Sequence, residues 1–318
     1  MGNAKNAGKT TVLNALVQAH ADVTLGLSPI GLDGEQVDTV TFLPKPRVFL
    51  PMGTLVATAR DCMAQSEAAL EVLEDLDIRT GLGSILIVRV VKAGNVLLGG
   101  PSTALSMESA VSGMRRLGAD KLLIDGAFAR QSHAAAAQAL VYVVGAHRSP
   151  DMQRVVRSAG LALKRMSLPE APGNACFLKD EQRLGWLDET FSFYPLDMRS
   201  SLGQAEELLD NLPPSAHWLY VPGAVNDGLA QRLVERRAEH QAGLILQSPL
   251  SLVVEDAVLR RLFRLNRDIV VLRPMTTAFV AYNPFSPAGH RFDSQAFRAA
   301  LAQQTALPLI NVAEDESL

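Results

Sequence analysis

The sequence predicts an α/β fold: a mostly parallel sheet with helices on both faces and a small β-rich insertion. Three observations predict it. The chain opens on a small-residue loop, Asn3-Ala4-Lys5-Asn6-Ala7-Gly8-Lys9-Thr10-Thr11, that runs straight into the apolar helical pattern Val12, Leu13, Ala15, Leu16. A short apolar run, Lys121-Leu122-Leu123-Ile124, ends in Asp125-Gly126. The remainder alternates strand-length apolar runs with helical periodicity, as parallel strands joined by crossover helices require. With 318 residues, 48% of them hydrophobic and 20% charged, the chain suffices for one large or two modest α/β domains.

The opening loop has the makings of a phosphate-binding loop. Backbone N–H groups at a helix N-terminus and the positive end of its dipole cradle phosphates, Lys9 reaches the terminal phosphate oxygens, and the Thr10 hydroxyl can ligate Mg²⁺. The pattern G-x-x-x-x-G-K-[ST] asks for glycine where this chain has Asn3, and Gly2 stands one place too early. Asparagine tolerates left-handed backbone angles, so the turn stays feasible. Such a loop is normally launched from a buried parallel strand. Only Met1-Gly2 precedes this one, so an apolar segment of about five residues is expected upstream. Together with the strand ending in Asp125, the pattern of a Walker B carboxylate, the fold expected is P-loop NTPase-like.

Taken in order, residues 10–19 form the first helix and 22–26 a strand. The polar stretch after it offers Asp33 and Asp38 as metal or switch residues, or forms a solvated turn, since Asp33-Gly34 makes turns unaided. Pro44-Lys45-Pro46-Arg47 is an extended basic turn that cannot be helical. A long helix is expected over 58–76, then strands over 84–91 and 95–99 around Ala93-Gly94. Gly99-Gly100-Pro101-Ser102 is either an anion-holding junction or a tight crossover turn, leading into a helix over 104–117. Beyond Asp125, Arg130 and His133 could face the same pocket, and Ser132 could instead cap a helix. A strand at 141–145 and a helix at 150–163 follow. Near the end, the strand leading to Asn283-Pro284-Phe285-Ser286-Pro287 delivers Asn283 to a sheet edge, where it contacts a base or a partner or merely belongs to a stiff turn. The expected organisation is a nucleotide-binding core over 1–164, a β-rich insertion over 165–200, and a continuation of the sheet over 201–318.

Composition excludes several classes. With 30 basic and 33 acidic residues and a net charge of −3, no field favours nucleic acid or an anionic membrane. The longest apolar runs are strand-length, and no charged-then-apolar signal segment opens the chain. Cys62 and Cys176 are too few for a disulfide framework and read as buried thiols in a reducing cytoplasm.

The opening loop, Pro44-Lys45-Pro46-Arg47, Gly100-Pro101-Ser102, Ile124-Asp125-Gly126 and Asn283-Pro284-Phe285-Ser286-Pro287 together resemble the reactivase-type accessory subunit encoded with cobalamin-dependent lysine 5,6-aminomutase. The resemblance implies an ATP-driven helper that exchanges damaged cobalamin on a radical aminomutase, acting with a second reactivase subunit. Its roles carry over to Gly8, Lys9, Thr10 and Asp125. On this reading Lys9 and Asp125 are catalytic, Thr10 and Asp125 hold Mg²⁺, and residues 27–60 are the switch. Two other classes fit the same loop: a small-molecule kinase or ATP-dependent ligase, and a nucleotide-binding or structural interaction subunit that does not hydrolyse.

Overall fold

The computed structural model describes residues 1–3, 7–20, 22–31, 48–126, 137–198, 203–265 and 267–312. The chain divides into two units. The first comprises Met1–Val155, Ala278–Ala299 and Leu307–Leu318; the second comprises Val156–Thr277 and Ala300–Ala306. This differs from the division expected, because most of residues 201–318 belongs to a unit with its own sheet.

The first unit begins with α1 (Lys9–Ala19), β1 (Leu25–Pro29), β2 (Val48–Leu50), β3 (Leu55–Ala59) and α2 (Arg60–Ala64). A long hairpin, β4 (Ala69–Thr80) and β5 (Gly83–Lys92), follows, with β6 (Gly94–Val96), α3 (Ala104–Arg116), β7 (Lys121–Asp125) and β8 (Ala139–Gly145) after it. Its main sheet has the order β4-β5-β3-β1-β7. β1 runs parallel to β3 and β7, whereas β3–β5 and β4–β5 are antiparallel. α1 covers one face, with Leu13 and Val17 packed into a cluster containing Leu27, Val56, Leu86 and Val88. Ala110 and Met114 of α3 cover the other, with Leu55, Ala57, Ile85 and Ile87. The alternation of Ile85-Leu86-Ile87-Val88 between the two clusters is the period of a strand buried on both faces.

The second unit takes in all but the first turn of α4 (Met152–Met166). Its elements are β9 (Gly185–Leu187), β10 (Phe193–Pro195), α5 (Ala205–Asp210), β11 (Trp218–Val221), β12 (Val225–Asn226), α6 (Asp227–Glu235), β13 (Gly243–Leu246), β14 (Leu252–Val253), α7 (Asp256–Leu262) and β15 (Ile269–Val271). Its sheet has the order β10-β9-β11-β13-β15, parallel from β11 to β15 and antiparallel at β9 and β10. The β-rich stretch read as an insertion therefore supplies the antiparallel edge of this sheet. The last elements are β16 (Thr276–Asn283), α8 (Ser294–Ala302) and β17 (Leu309–Asn311), and a three-stranded sheet has the order β17-β16-β8.

Two expectations are corrected. The single mostly parallel sheet is instead several sheets, the larger two of them mixed. The long helix over 58–76 is instead the end of β3, one short helix and the start of β4. Leu70, Val72, Leu76 and Ile78 fit a period of two as well as a helical stripe, and the partner β5, buried over Ile85–Val88, supplies a ladder that decides for the strand. Cys176 is exposed rather than buried, while Cys62 is buried as expected. No helix among the described residues is long and apolar enough to cross a membrane.

The Gly99-Gly100-Pro101 junction is a close crossing of backbone. A Cβ on Gly100 would lie 1.9 Å from the carbonyl oxygen of Pro29, and Gly100 N donates to Gly31 O at 3.0 Å. Glycine is required there for contact between two chain segments.

Candidate functional site

The loop that opens the chain is held at both ends. Upstream, Met1-Gly2-Asn3 forms the stub of a parallel strand on β8, with Gly2 opposite Val143. Asn3 N donates to Val143 O at 2.9 Å and Val143 N donates to Met1 O at 2.7 Å. The Asn3 side chain extends the anchorage, its Oδ1 accepting from Gly145 N at 3.0 Å. Arg148 Nη1 donates to the Asn3 carbonyl at 3.1 Å. Downstream, Ala7 is fully buried in a cluster with Val12, Val143, Ala281 and Val312. It crosses Gly145 so closely that a Cβ there would stand 2.6 Å from the Ala7 Cα.

Gly8 then turns the chain into α1 with φ 103° and ψ 15°, a left-handed conformation that glycine adopts without strain. No side chain caps the helix, so its first N–H groups rely on other partners. Lys9 opens the helix and folds back over Gly2, where a Cβ would lie 2.9 Å from Lys9 Cγ and Cδ and 3.4 Å from Nζ. Thr10 is half-buried in the first turn and Thr11 is exposed.

Asp125 ends β7, in register with Pro29 of β1, and its carbonyl accepts from Ile30 N at 2.6 Å. A cavity of about 490 Å³ is lined by Lys9, Met1 and Asp125 together, with Leu13, Leu16 and Ile124 among its apolar walls. The Met1 ammonium donates to Val141 O at 2.7 Å in this cavity. Burial pushes its pKa down to about 6; Asp125 pulls it up and Lys9 pushes it further down. Lys9, Asp125 and the terminal amine thus share one electrostatic environment, in which burial leaves the amine largely uncharged at pH 7.

At the other side of the loop, Asn283 ends β16 with its Nδ2 toward Gly8, 3.2 Å from where a Cβ would stand. Its Oδ1 accepts from Phe285 N at 3.0 Å, so half of the amide is used to close the turn. The turn is tied to the end of β8 by His147 Nδ1 and Ser286 Oγ at 3.1 Å, and by His290 Nε2, which donates to Ala146 O at 2.9 Å.

The structure therefore brings together Asn3, Ala7, Gly8, Lys9, Thr10, Asn283 and, through the cavity, Asp125. Ala4, Lys5, Asn6, Asp33, Asp38, Arg130, Ser132 and His133, and residues 32–47 of the expected switch over 27–60, lie outside the described residues. Among the described residues no group of three or more His, Cys, Asp or Glu side chains could hold a metal ion. Sequence reasoning missed Arg148 and His147. The available signal was their position just past an apolar strand, the same place Asp125-Gly126 occupies after its own. The donor set fits an anion in two ways: the helix start is uncapped, and Asn3 Nδ2 is buried with no hydrogen-bond partner among the described residues. No protein-family model, no curated protein and no solved structure matches the chain.

Proposed function

We propose that the opening loop binds Mg²⁺-ATP and that the chain hydrolyses it, on a P-loop NTPase-like first unit. One observation carries the reading: Lys9, at an uncapped helix start entered through left-handed Gly8, lines the same cavity as Asp125 from the end of a neighbouring strand. On this reading the N–H groups of Gly8, Lys9 and Thr10 hold the phosphates, and the Lys9 ammonium binds the terminal phosphate oxygens. The Thr10 hydroxyl and the Asp125 carboxylate would hold Mg²⁺, Asp125 through water, and the ion would withdraw charge from the phosphates. Asn283 contributes a free amide edge on the base side of the loop. The work done by hydrolysis would be the exchange of spent cofactor on a cobalamin-dependent aminomutase, with a second reactivase subunit. That part rests on the sequence resemblance alone.

A second reading, nucleotide binding without hydrolysis, is favoured by one feature. Asp125 already shares its cavity with the Lys9 ammonium, which competes with a metal ion for it. Phosphate release at saturating Mg²⁺-ATP separates the two. The hydrolytic reading expects turnover that falls about 100-fold in both Lys9→Ala and Asp125→Asn, the effect of losing a charge from a phosphoryl-transfer site. Turnover unchanged in both variants would overturn it, and binding with no turnover would leave the second reading in place.

A further inference from the structure

Just past Asn283 the chain makes a closely tied turn against the end of β8. Within it, Ser286 N donates to His290 O at 3.0 Å and Phe292 N donates to Pro284 O at 2.9 Å. Phe285 and Arg291 face each other across an antiparallel bridge. The Ser286 hydroxyl accepts from Ala288 N at 3.2 Å and meets His147 Nδ1, while His290 Nε2 donates to the Ala146 carbonyl. At the entry of the turn Asn283 Oδ1 takes the Phe285 amide. Prolines at 284 and 287 fix φ on either side of Phe285 and Ser286.

This turn buries Pro284 and Ser286 and leaves Phe285, between them, 44% exposed. The neighbouring rings pair with one another: Tyr282 and Phe292 pack edge-on against Phe297, and His290 lies 6.0 Å from Phe292. Phe285 takes no part in that cluster. One exposed ring is ordinary on a protein surface, and what sets this one apart is its place and its rigid backbone. It stands two residues from Asn283, whose Nδ2 lies against Gly8 at the start of α1. A phenyl ring on a backbone already fixed by hydrogen bonds loses little freedom when a flat ligand covers it.

We propose that Phe285 is the stacking platform for the base of a bound nucleoside triphosphate, with Asn283 Nδ2 donating to an acceptor on the edge of the base. The inference rests on the nucleotide reading of the Gly8–Lys9 loop and adds the part of the ligand that the loop does not hold. The two parts are recognised by different chemistry. Phosphates answer to charge and to backbone N–H groups at a helix start, whereas a base offers a π-face and a few edge acceptors. At this turn the Asn283 oxygen, the Ser286 hydroxyl and His290 Nε2 are engaged by the fold itself. Stacking on Phe285 therefore supplies most of the affinity for the base, and the Asn283 amide fixes its orientation.

The test titrates Mg²⁺-ATP and Mg²⁺-tripolyphosphate, which has the phosphates without the base, into the wild-type chain, Phe285→Ala and Phe285→Tyr. The wild type is expected to bind ATP about tenfold or more tighter than tripolyphosphate, the worth of one stacked base. Phe285→Ala should lose about tenfold in ATP affinity with tripolyphosphate binding unchanged, and Phe285→Tyr, which keeps the ring, should bind ATP like the wild type. Equal ATP affinity in the wild type and Phe285→Ala would overturn the proposal while tripolyphosphate binding leaves the loop reading standing. So would equal weakening of both ligands in Phe285→Ala, which would make the residue structural. Binding of neither ligand by the wild type would overturn the nucleotide reading and this subsite with it.

Discussion

The parallel strands of the two units end in opposite ways. In the second unit the ends of β11, β13 and β15 are closed by a hydrogen-bonded network of Tyr220, Gln247 and Arg273. The Tyr220 hydroxyl lies 2.6 Å from Glu181 O and 3.0 Å from Leu178 O, and Gln247 Nε2 donates to the Tyr220 oxygen at 2.6 Å. Arg273 completes it, donating to Gln247 Oε1 and to Lys179 O, both at 3.0 Å. Burial pushes the Tyr220 phenol up to about 12, so it stays a neutral donor. In the first unit the end of β7 meets a lysine, a carboxylate and a buried amine around a cavity. Both ends carry residue types able to do chemistry. The difference is that folding consumes them in one unit, whereas in the other they face a helix start entered through a left-handed glycine. Function is therefore argued from the site and not from residue identity.

Four substitutions or conditions sharpen that contrast. Both tryptophans, Trp186 and Trp218, lie in the second unit. Tryptophan fluorescence thus follows that unit, and far-ultraviolet circular dichroism follows both. The largest effect is expected from Gly100→Ala, which places a Cβ 1.9 Å from a backbone oxygen that has no flexible side chain to give way. It should cost the first unit about 3 kcal/mol or more, splitting the urea transition by circular dichroism while the fluorescence midpoint stays put.

Next comes pH. The Met1 amine has a folded pKa of about 6 against an ordinary 8.0. Between those values the unfolded chain binds the extra proton, so the first unit gains stability as pH rises from 6 to 8 and loses it as pH falls back. The gain is about 2–3 kcal/mol at most. Acetylating the amine should flatten the dependence, as read from urea midpoints at the two pH values. Tyr220→Phe is smaller: it removes the hydroxyl that Gln247 and two carbonyls share, and should cost the second unit about 1–2 kcal/mol by fluorescence. Smallest is Arg232→Ala. Its partners Glu206 and Glu235, at 2.8 and 2.7 Å, are solvent-exposed, and the loss should stay below about 1 kcal/mol in the same fluorescence assay.

How much of this was legible in the sequence follows from which signals are local. The start of α1, the strand ending at Asp125 and the helix over 104–117 are set by nearby residues, and the structure has all three. The β4–β5 hairpin was not legible, because residues 69–80 satisfy two periodicities and only the distant partner strand decides between them. The separate sheet of the second unit was hidden for a similar reason. Strand and helix patterns repeat without any mark of which strands pair. At the site, Gly8, Lys9 and Asp125 could be read from motif spacing. The anchorage of Asn3 by Gly145 and Arg148 depends on residues some 140 positions away and leaves no local trace.

The central claim is that Lys9 at the left-handed Gly8 turn is a phosphate ligand and not another structural side chain of the kind that closes the second unit. Calorimetric titration of Mg²⁺-ATP into the wild-type chain and into Lys9→Ala tests it most directly. The expected result is saturable binding to the wild type that weakens about 100-fold in the variant, roughly 3 kcal/mol of lost affinity. Equal affinity in the two proteins, or no binding by the wild type, would contradict it.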